Sequence, residues 1–218
     1  MTFFLARLRR LFFGTPFANA ESYWTRRYAS GGNSGAGSYG KFAEFKAEVI
    51  NGFVAESGVH SVIEFGCGDG AQLELARYPE YIGFDVSTHA LDRCRARFGS
   101  DPHKKFALTT DYANERADLT LSLDVVYHLV EDAVFDAYMR RLFGSANRYV
   151  IVYSSNYDER ADTAVPHIRH RDFVKWVSRN CLDWALLSHI PNRYPYEGDH
   201  SAGTFADFYV FARNSPGA

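Results

Sequence analysis

At 218 residues, with 46% hydrophobic and 23% charged positions, the chain can bury one full core, and its composition excludes a disordered or fibrous protein. A net charge of -2 speaks against broad nucleic-acid binding, which relies on basic surface. No run approaches the roughly 20 apolar residues of a membrane-spanning helix. The widely spaced Cys67, Cys94 and Cys181 form neither a CxxC pair nor a zinc pattern, which points to a reducing cytoplasm.

The chain opens on a basic amphipathic segment. In residues 1–13, Phe4, Leu5, Leu8, Leu11 and Phe12 share one side of a helical wheel, opposite Arg7, Arg9 and Arg10. Such a helix within residues 1–19 suits peripheral contact with the inner face of a membrane, or docking on this domain or on a second copy in a homodimer. Gly14 and Pro16 interrupt its apolar part, so a cleaved signal peptide is not expected. The remaining residues, 20–218, read as one domain.

A short helix carrying Tyr23, Trp24, Arg27 and Tyr28 comes next, then the Gly/Ser-rich stretch 31–40. That stretch is either a flexible linker or a lid that clasps a ligand, and residues 20–40 together would close over a site. Ser38 is placed to cap a long helix to about residue 57, with Phe42, Phe45, Val49, Ile50, Phe53 and Val54 at helical spacing.

From residue 61 strands and helices alternate. Strands are predicted at 61–65, 81–85, 105–108, 117–123, 147–153, 183–190 and 204–212. Helices are predicted at 71–78, 88–98, 131–143 and 170–180, with Ser87 capping the second. This order specifies an α/β fold, a doubly wound, mostly parallel sheet covered on both faces. The last two strands lack a connecting helix and should form an antiparallel edge hairpin.

Ligands of such sheets bind beyond the carboxyl ends of the strands. The first strand ends in Glu64-Phe65-Gly66-Cys67-Gly68-Asp69-Gly70, a glycine turn entering a helix start whose free N–H groups suit a polar ligand. Asp85 ends the second strand, where a carboxylate accepts ribose hydroxyls. Gly66, Gly68 and Ala71 also fit a loose dinucleotide fingerprint, so the glycines alone leave an oxidoreductase open. Glu64 tips the choice, because an acid there suits a cationic ligand group and repels a pyrophosphate. Gly70 adds a third alternate glycine, and no second domain carries a hydride-transfer substrate. Glu64 could instead cap the loop, Asp111 could be a turn residue, and Trp24 and Tyr28 could be core aromatics. Cys67 reads as a small residue fitting a tight turn.

Residues 63–70, Gly83-Phe84-Asp85-Val86-Ser87, Thr110-Asp111-Tyr112 and Ser122-Leu123-Asp124-Val125 resemble the first four motifs of class I S-adenosylmethionine-dependent methyltransferases, in order and spacing over about residues 40–213. The resemblance implies a Rossmann-like, seven-stranded sheet with a reversed last strand. It implies S-adenosylmethionine held by Glu64, Gly66, Cys67, Gly68 and Gly70 at its methionine part, and by Asp85 and Val86 at the ribose. Asp111 and Tyr112 would meet the adenine, with Leu123 beside them. Residues 23–28 are similar to the helix that closes over the cofactor in small-molecule members, which would give Tyr23 and Trp24 cofactor contacts and pair Arg27 with the methionine carboxylate.

Methyl transfer is an in-line displacement, and a hydroxyl acceptor also needs its proton removed. Candidate bases are Asp124 and His128 after the fourth strand, and His167 and His170 after the fifth. The three histidines lack metal-ligand spacing. Residues 34–40 with the 167–171 cluster are similar to small methyltransferases of bacterial polysaccharide and glycan biosynthesis. That similarity suggests O-methylation of a small or saccharide acceptor. N- or C-methylation, and a non-catalytic relative that binds a partner, are the other readings.

Overall fold

The computed structural model describes residues 17–158 and 165–214. The predicted helix of residues 1–13 lies outside the described residues. Seven strands form one sheet: β1 Ser61–Phe65, β2 Glu80–Asp85, β3 Lys104–Leu108, β4 Ala117–Leu123, β5 Ala146–Ser154, β6 Trp184–Ile190 and β7 Asp207–Arg213. Their order is β3-β2-β1-β4-β5-β7-β6. Strands β1 to β5 pair in parallel, and β7 runs antiparallel to both β5 and β6, so the edge hairpin predicted from the missing helix forms. Strand order reverses at β1/β4, which opens a crevice at the carboxyl ends of those two strands.

Among the described residues five helices cover the sheet: α1 Ala20–Ala29, α2 Gly40–Glu56, α3 Thr88–Phe98, α4 Asp132–Gly144 and α5 Phe173–Asn180. Alternate residues of each central strand enter opposite cores. Val62, Leu121, Ile151 and Phe208 pack with Phe45, Ile50 and Val54 of α2 and Leu91 of α3. Ile63, Val150, Val152 and Phe211 pack with Met139 and Leu142 of α4 and Phe173 of α5. Each such side chain contributes about 1.5–3 kcal/mol by leaving water. No described helix is long and apolar enough to cross a membrane.

Three helix expectations change. Residues 71–78 form only a 3-10 turn, Gln72–Leu75. Pro79 disfavours helical geometry at Tyr78, and β2 begins at once, which leaves no length for a helix. Ser38 does not cap α2; it ends a 3-10 turn, Ala36–Ser38, and Tyr39 takes the cap position without a side-chain bond. The last helix starts three residues late, at Phe173, because the Asp172 side chain accepts from Lys175 N at 3.0 Å and fixes the start there. Ser87 caps α3 as expected, accepting from Ala90 N.

Candidate functional site

The glycine turn after β1 holds its shape by backbone bonds and by missing side chains. Gly66 N and Cys67 N both donate to Phe84 O, at 2.7 and 3.1 Å. Gly66 has φ +86° and Gly68 φ +58°, the left-handed region that favours glycine. A Cβ on Gly66 would overlap Val125, and one on Gly68 would overlap the Ser34 hydroxyl. Asp85 Oδ2 accepts from Gly68 N and Oδ1 from Ser87 N, both at 2.9 Å. Each oxygen keeps a second lone pair. Burial pushes the Asp85 carboxyl up to about 6.

Above this turn lies a cavity of about 430 Å³. Glu64, Gly66, Cys67, Gly68, Asp85, Val86, Leu123, Asp124 and His128 line its floor and sides, with Trp24 and Tyr28 of α1 and Ser34 and Ser38 of the Gly/Ser strap above. The strap is clasped to the turn. Ser34 Oγ donates to Asp69 Oδ1 at 2.7 Å, and the Tyr39 hydroxyl donates to Asp69 Oδ2 at 3.1 Å. Burial raises the Asp69 carboxyl, but the hydrogen bonds from Ser34, Ala71 and Tyr39 outweigh it and hold the group below its ordinary range. Arg93 of α3 donates to Gly32 O and Tyr28 O.

One end of the cavity is densely charged. Glu64 is 5% exposed and accepts from the Tyr81 hydroxyl at 2.6 Å. Burial pushes its carboxyl up to about 7, against the Tyr81 hydrogen bond and the Lys46 ammonium. Lys46, 1% exposed, donates to Asp124 Oδ2 at 2.6 Å. Asp124 also accepts from the Tyr127 hydroxyl at 2.8 Å and sits at φ +59°, a strained conformation for a residue with a side chain. Asp124 is therefore paired with a buried ammonium, and each of its carboxyl oxygens accepts one hydrogen bond.

His128 faces the same corner. Burial lowers it to about 4, so the ring is neutral at ordinary pH. Its Nδ1 lies 3.0 Å from His167 O, and since a carbonyl only accepts, Nδ1 carries the proton. Nε2 is left as a bare acceptor, with no hydrogen-bond partner among the described residues. The edge of Trp24 meets the His128 ring at 4.9 Å.

Other predicted site residues point elsewhere. Tyr23 stacks on His167 at 4.3 Å, outside the cavity, and Tyr23 and Arg27 line a separate groove. Arg27 Nε donates to Asn33 O at 2.7 Å, so its guanidinium holds the strap rather than facing a methionine carboxylate. Asp111 is exposed. The Tyr112 hydroxyl bonds Ser145 Oγ at 2.6 Å while its ring packs on Phe65 and Phe84, which turns it away from the cavity. Thr109, Val134 and Arg141 line that end instead. Gly70 packs against Cys94 and Phe98 behind the turn. His167 contributes its carbonyl, and His170 bonds Ser155 Oγ at 2.7 Å, neither ring lining the cavity.

Sequence reasoning missed Lys46, Asp69, Gln72 and Tyr81. One signal was present: Lys46 lies four residues after Phe42 and four before Ile50, on the apolar stripe of α2. A lysine there either reaches out to water or pairs in the core.

Residues 63–150, from β1 into β5, match the family model described as a methyltransferase domain. No curated protein matches the chain. The solved structure of the N-methyltransferase NodS from Bradyrhizobium japonicum WM9, in complex with S-adenosyl-L-homocysteine, is similar over 91% of this chain and 100% of its own, with a TM-score of 0.67 at 17% identity. Magnesium protoporphyrin IX methyltransferase (ChlM) from Synechocystis PCC 6803, with bound S-adenosylmethionine, is similar over 92% of this chain and 100% of its own, with a TM-score of 0.61 at 15% identity. The carbon methyltransferase of CurJ is similar over 78% of this chain and 54% of its own, with a TM-score of 0.57 at 13% identity. The fold is the class I methyltransferase fold. Residues 63–150 carry a methyltransferase domain, whose cofactor is S-adenosylmethionine.

The residues present fit that cofactor. Asp85 has lone pairs to spare beside a turn stripped of side chains, the Glu64 carboxylate suits a cationic group, and Gln72 Oε1 is a buried acceptor without a donor.

Proposed function

We propose that the chain transfers the methyl group of S-adenosylmethionine to a hydroxyl of a small acceptor, with a saccharide as the leading class. The observation that carries this reading is His128, held neutral, with Nδ1–H fixed on the His167 carbonyl and Nε2 bare at the cavity wall. A hydroxyl must lose its proton as its oxygen takes the methyl, and Nε2 is the atom to receive it. A thiolate or free amine needs no such base.

The remaining roles follow from position. Asp85 accepts from the ribose hydroxyls, Gly66 and Gly68 let the backbone approach the cofactor, and Cys67, Val86 and Leu123 flank it. Glu64 meets the cationic amino-acid end, and Trp24 closes over the top. Asp124, paired to Lys46, orients the acceptor. His167 fixes the His128 tautomer, and His170 supports the same wall. The strap 31–39 acts as the lid. Bound S-adenosylmethionine supplies an already activated methyl, so the protein aligns acceptor, methyl and sulfur, removes a proton and excludes water.

The test is labelled methyl transfer from S-adenosylmethionine onto a panel of saccharides, phenols, amines and carboxylates, with the product site mapped by mass spectrometry. An ether-linked methyl on a sugar is expected. Transfer to amines alone would overturn the hydroxyl reading. The finer setting is also proposed: a protein of the cytoplasm whose residues 1–13 touch anionic membrane or a second copy. Co-sedimentation with anionic vesicles, lost on deleting residues 1–13, checks the membrane contact.

A further inference from the structure

The guanidinium expected to take the methionine carboxylate is not in the cavity, since Arg27 is spent on Asn33. The cations that do line it are Lys46 and Arg141, at opposite ends. Arg141 lies over the Tyr112 ring, near Thr109 and Val86, on the nucleoside side. Lys46 lies at the Glu64 end. An ammonium has three donors, and Asp124 is the one hydrogen-bond partner of Lys46 among the described residues. The ammonium also lies over the Tyr153 ring, 5.1 Å from its centre, and its donor capacity beyond Asp124 and that ring is buried, a costly state unless a ligand completes it.

Gln72 gives a second, independent sign at the same end. It is 8% exposed and lines the cavity. Its Nε2 donates to Ala43 O at 3.0 Å. That bond fixes which amide atom is which, because a carbonyl cannot face another acceptor. Oε1 is then buried with no donor. Ala43 and Lys46 are three residues apart on α2, so Gln72 and Lys46 meet the same helix face. A donor with capacity to spare and an unfilled acceptor lining one cavity, together with Glu64, suit a zwitterion.

We propose that Lys46 and Gln72 form the receptor for the amino-acid end of S-adenosylmethionine, Lys46 taking the α-carboxylate and Gln72 Oε1 accepting from the α-ammonium. Lys46 thereby bridges the cofactor carboxylate and Asp124. The acceptor's identity plays no part in this assignment.

Isothermal titration calorimetry with three probes tests it: S-adenosylmethionine, decarboxylated S-adenosylmethionine, which keeps the ammonium, and 5′-methylthioadenosine, which lacks the whole amino-acid end. Lys46→Met should weaken S-adenosylmethionine about 10- to 100-fold, the scale of a charge-assisted bond, and remove its advantage over the decarboxylated probe. Gln72→Leu should weaken both of those probes and keep their ratio. 5′-Methylthioadenosine should bind both variants as it binds the parent. The double variant Lys46→Met/Asp124→Asn removes both charges of the buried pair, so that no lone carboxylate is left to unfold the site. It should show the same collapse of the ratio. A ratio unchanged in both Lys46 variants would show that Lys46 serves Asp124 alone. Equal loss of all three probes would show a structural role. Either result overturns the proposal.

Discussion

Ser34 and Asp69 bond each other in both directions. The Ser34 hydroxyl donates to Asp69 Oδ1 at 2.7 Å and accepts from the Asp69 backbone N–H at 3.1 Å. The pair joins the Gly/Ser strap to the glycine turn across 35 positions of chain. Asp69→Asn keeps the size and removes the charge that accepts from Ser34 and Tyr39. Hydrogen exchange of amides 33–39 should quicken, and S-adenosylhomocysteine should dissociate about tenfold faster, as for loss of one charge-assisted bond. Unchanged exchange would show that the strap is held elsewhere.

Two glycines make a matched test of space. Gly68→Ala places a Cβ against Ser34 Oγ and the Tyr28 hydroxyl at φ +58°, so it should abolish detectable S-adenosylhomocysteine binding and lower stability by more than about 1 kcal/mol. Gly52 lies within α2, and a Cβ there meets nothing within 4 Å. Gly52→Ala should stabilise the protein by about 0.5–1 kcal/mol and leave binding alone. Chemical denaturation and calorimetry read both.

Affinity for S-adenosylmethionine should depend on pH through Glu64. Its carboxyl, lifted to about 7 by burial, must ionise to meet a cation. Binding should weaken by about tenfold per pH unit below 7 and level off above it. In the ligand-free protein the sign reverses. A carboxyl raised above its unfolded value of 4.5 favours the protonated fold, and that stability is lost as pH rises toward 7. His128 acts oppositely: lowered from 6.5 to about 4, it stabilises the fold above 6.5 and loses that contribution as pH falls through 4. Glu64→Gln should flatten the first slope in melting curves taken from pH 4.5 to 7, and a slope that survives the change belongs to another group.

His128→Ala should cut turnover about 10²- to 10⁴-fold, the usual worth of a general base, while S-adenosylhomocysteine affinity stays within about twofold. Full turnover in that variant would move proton removal to another acceptor or to water.

The sheet was legible because buried strands and glycine turns are written locally. The run 61–65, the turn at 66–70 and the acid at 85 each carry their signal within a few residues. The helix α1 was not legible in the same way. Ala20, Trp24 and Tyr28 form one stripe, and Tyr23 and Arg27 form another about 100° round the axis. Both stripes carry aromatic residues, and only docking decides that the first faces the cavity. Tyr112 followed its motif in position but found Ser145 as a partner 33 residues away, which no local pattern encodes. Lys46 and Gln72 escaped notice for the same reason. A lysine on an apolar stripe and a glutamine in a turn are ordinary until the fold withholds their partners.

Gly37 sits over Asp124 so closely that a Cβ on it would lie 2.9 Å from Oδ2. The same short strap therefore lies over both the glycine-turn cavity proposed for the cofactor and the Asp124 corner proposed for the acceptor. With the strap as the proposed lid, reactant entry and departure of the spent cofactor would share one gate, which each catalytic cycle would have to open. The expected kinetic pattern is ordered, with a burst of one methylated product per protein molecule and a steady rate set by how often residues 31–39 swing clear.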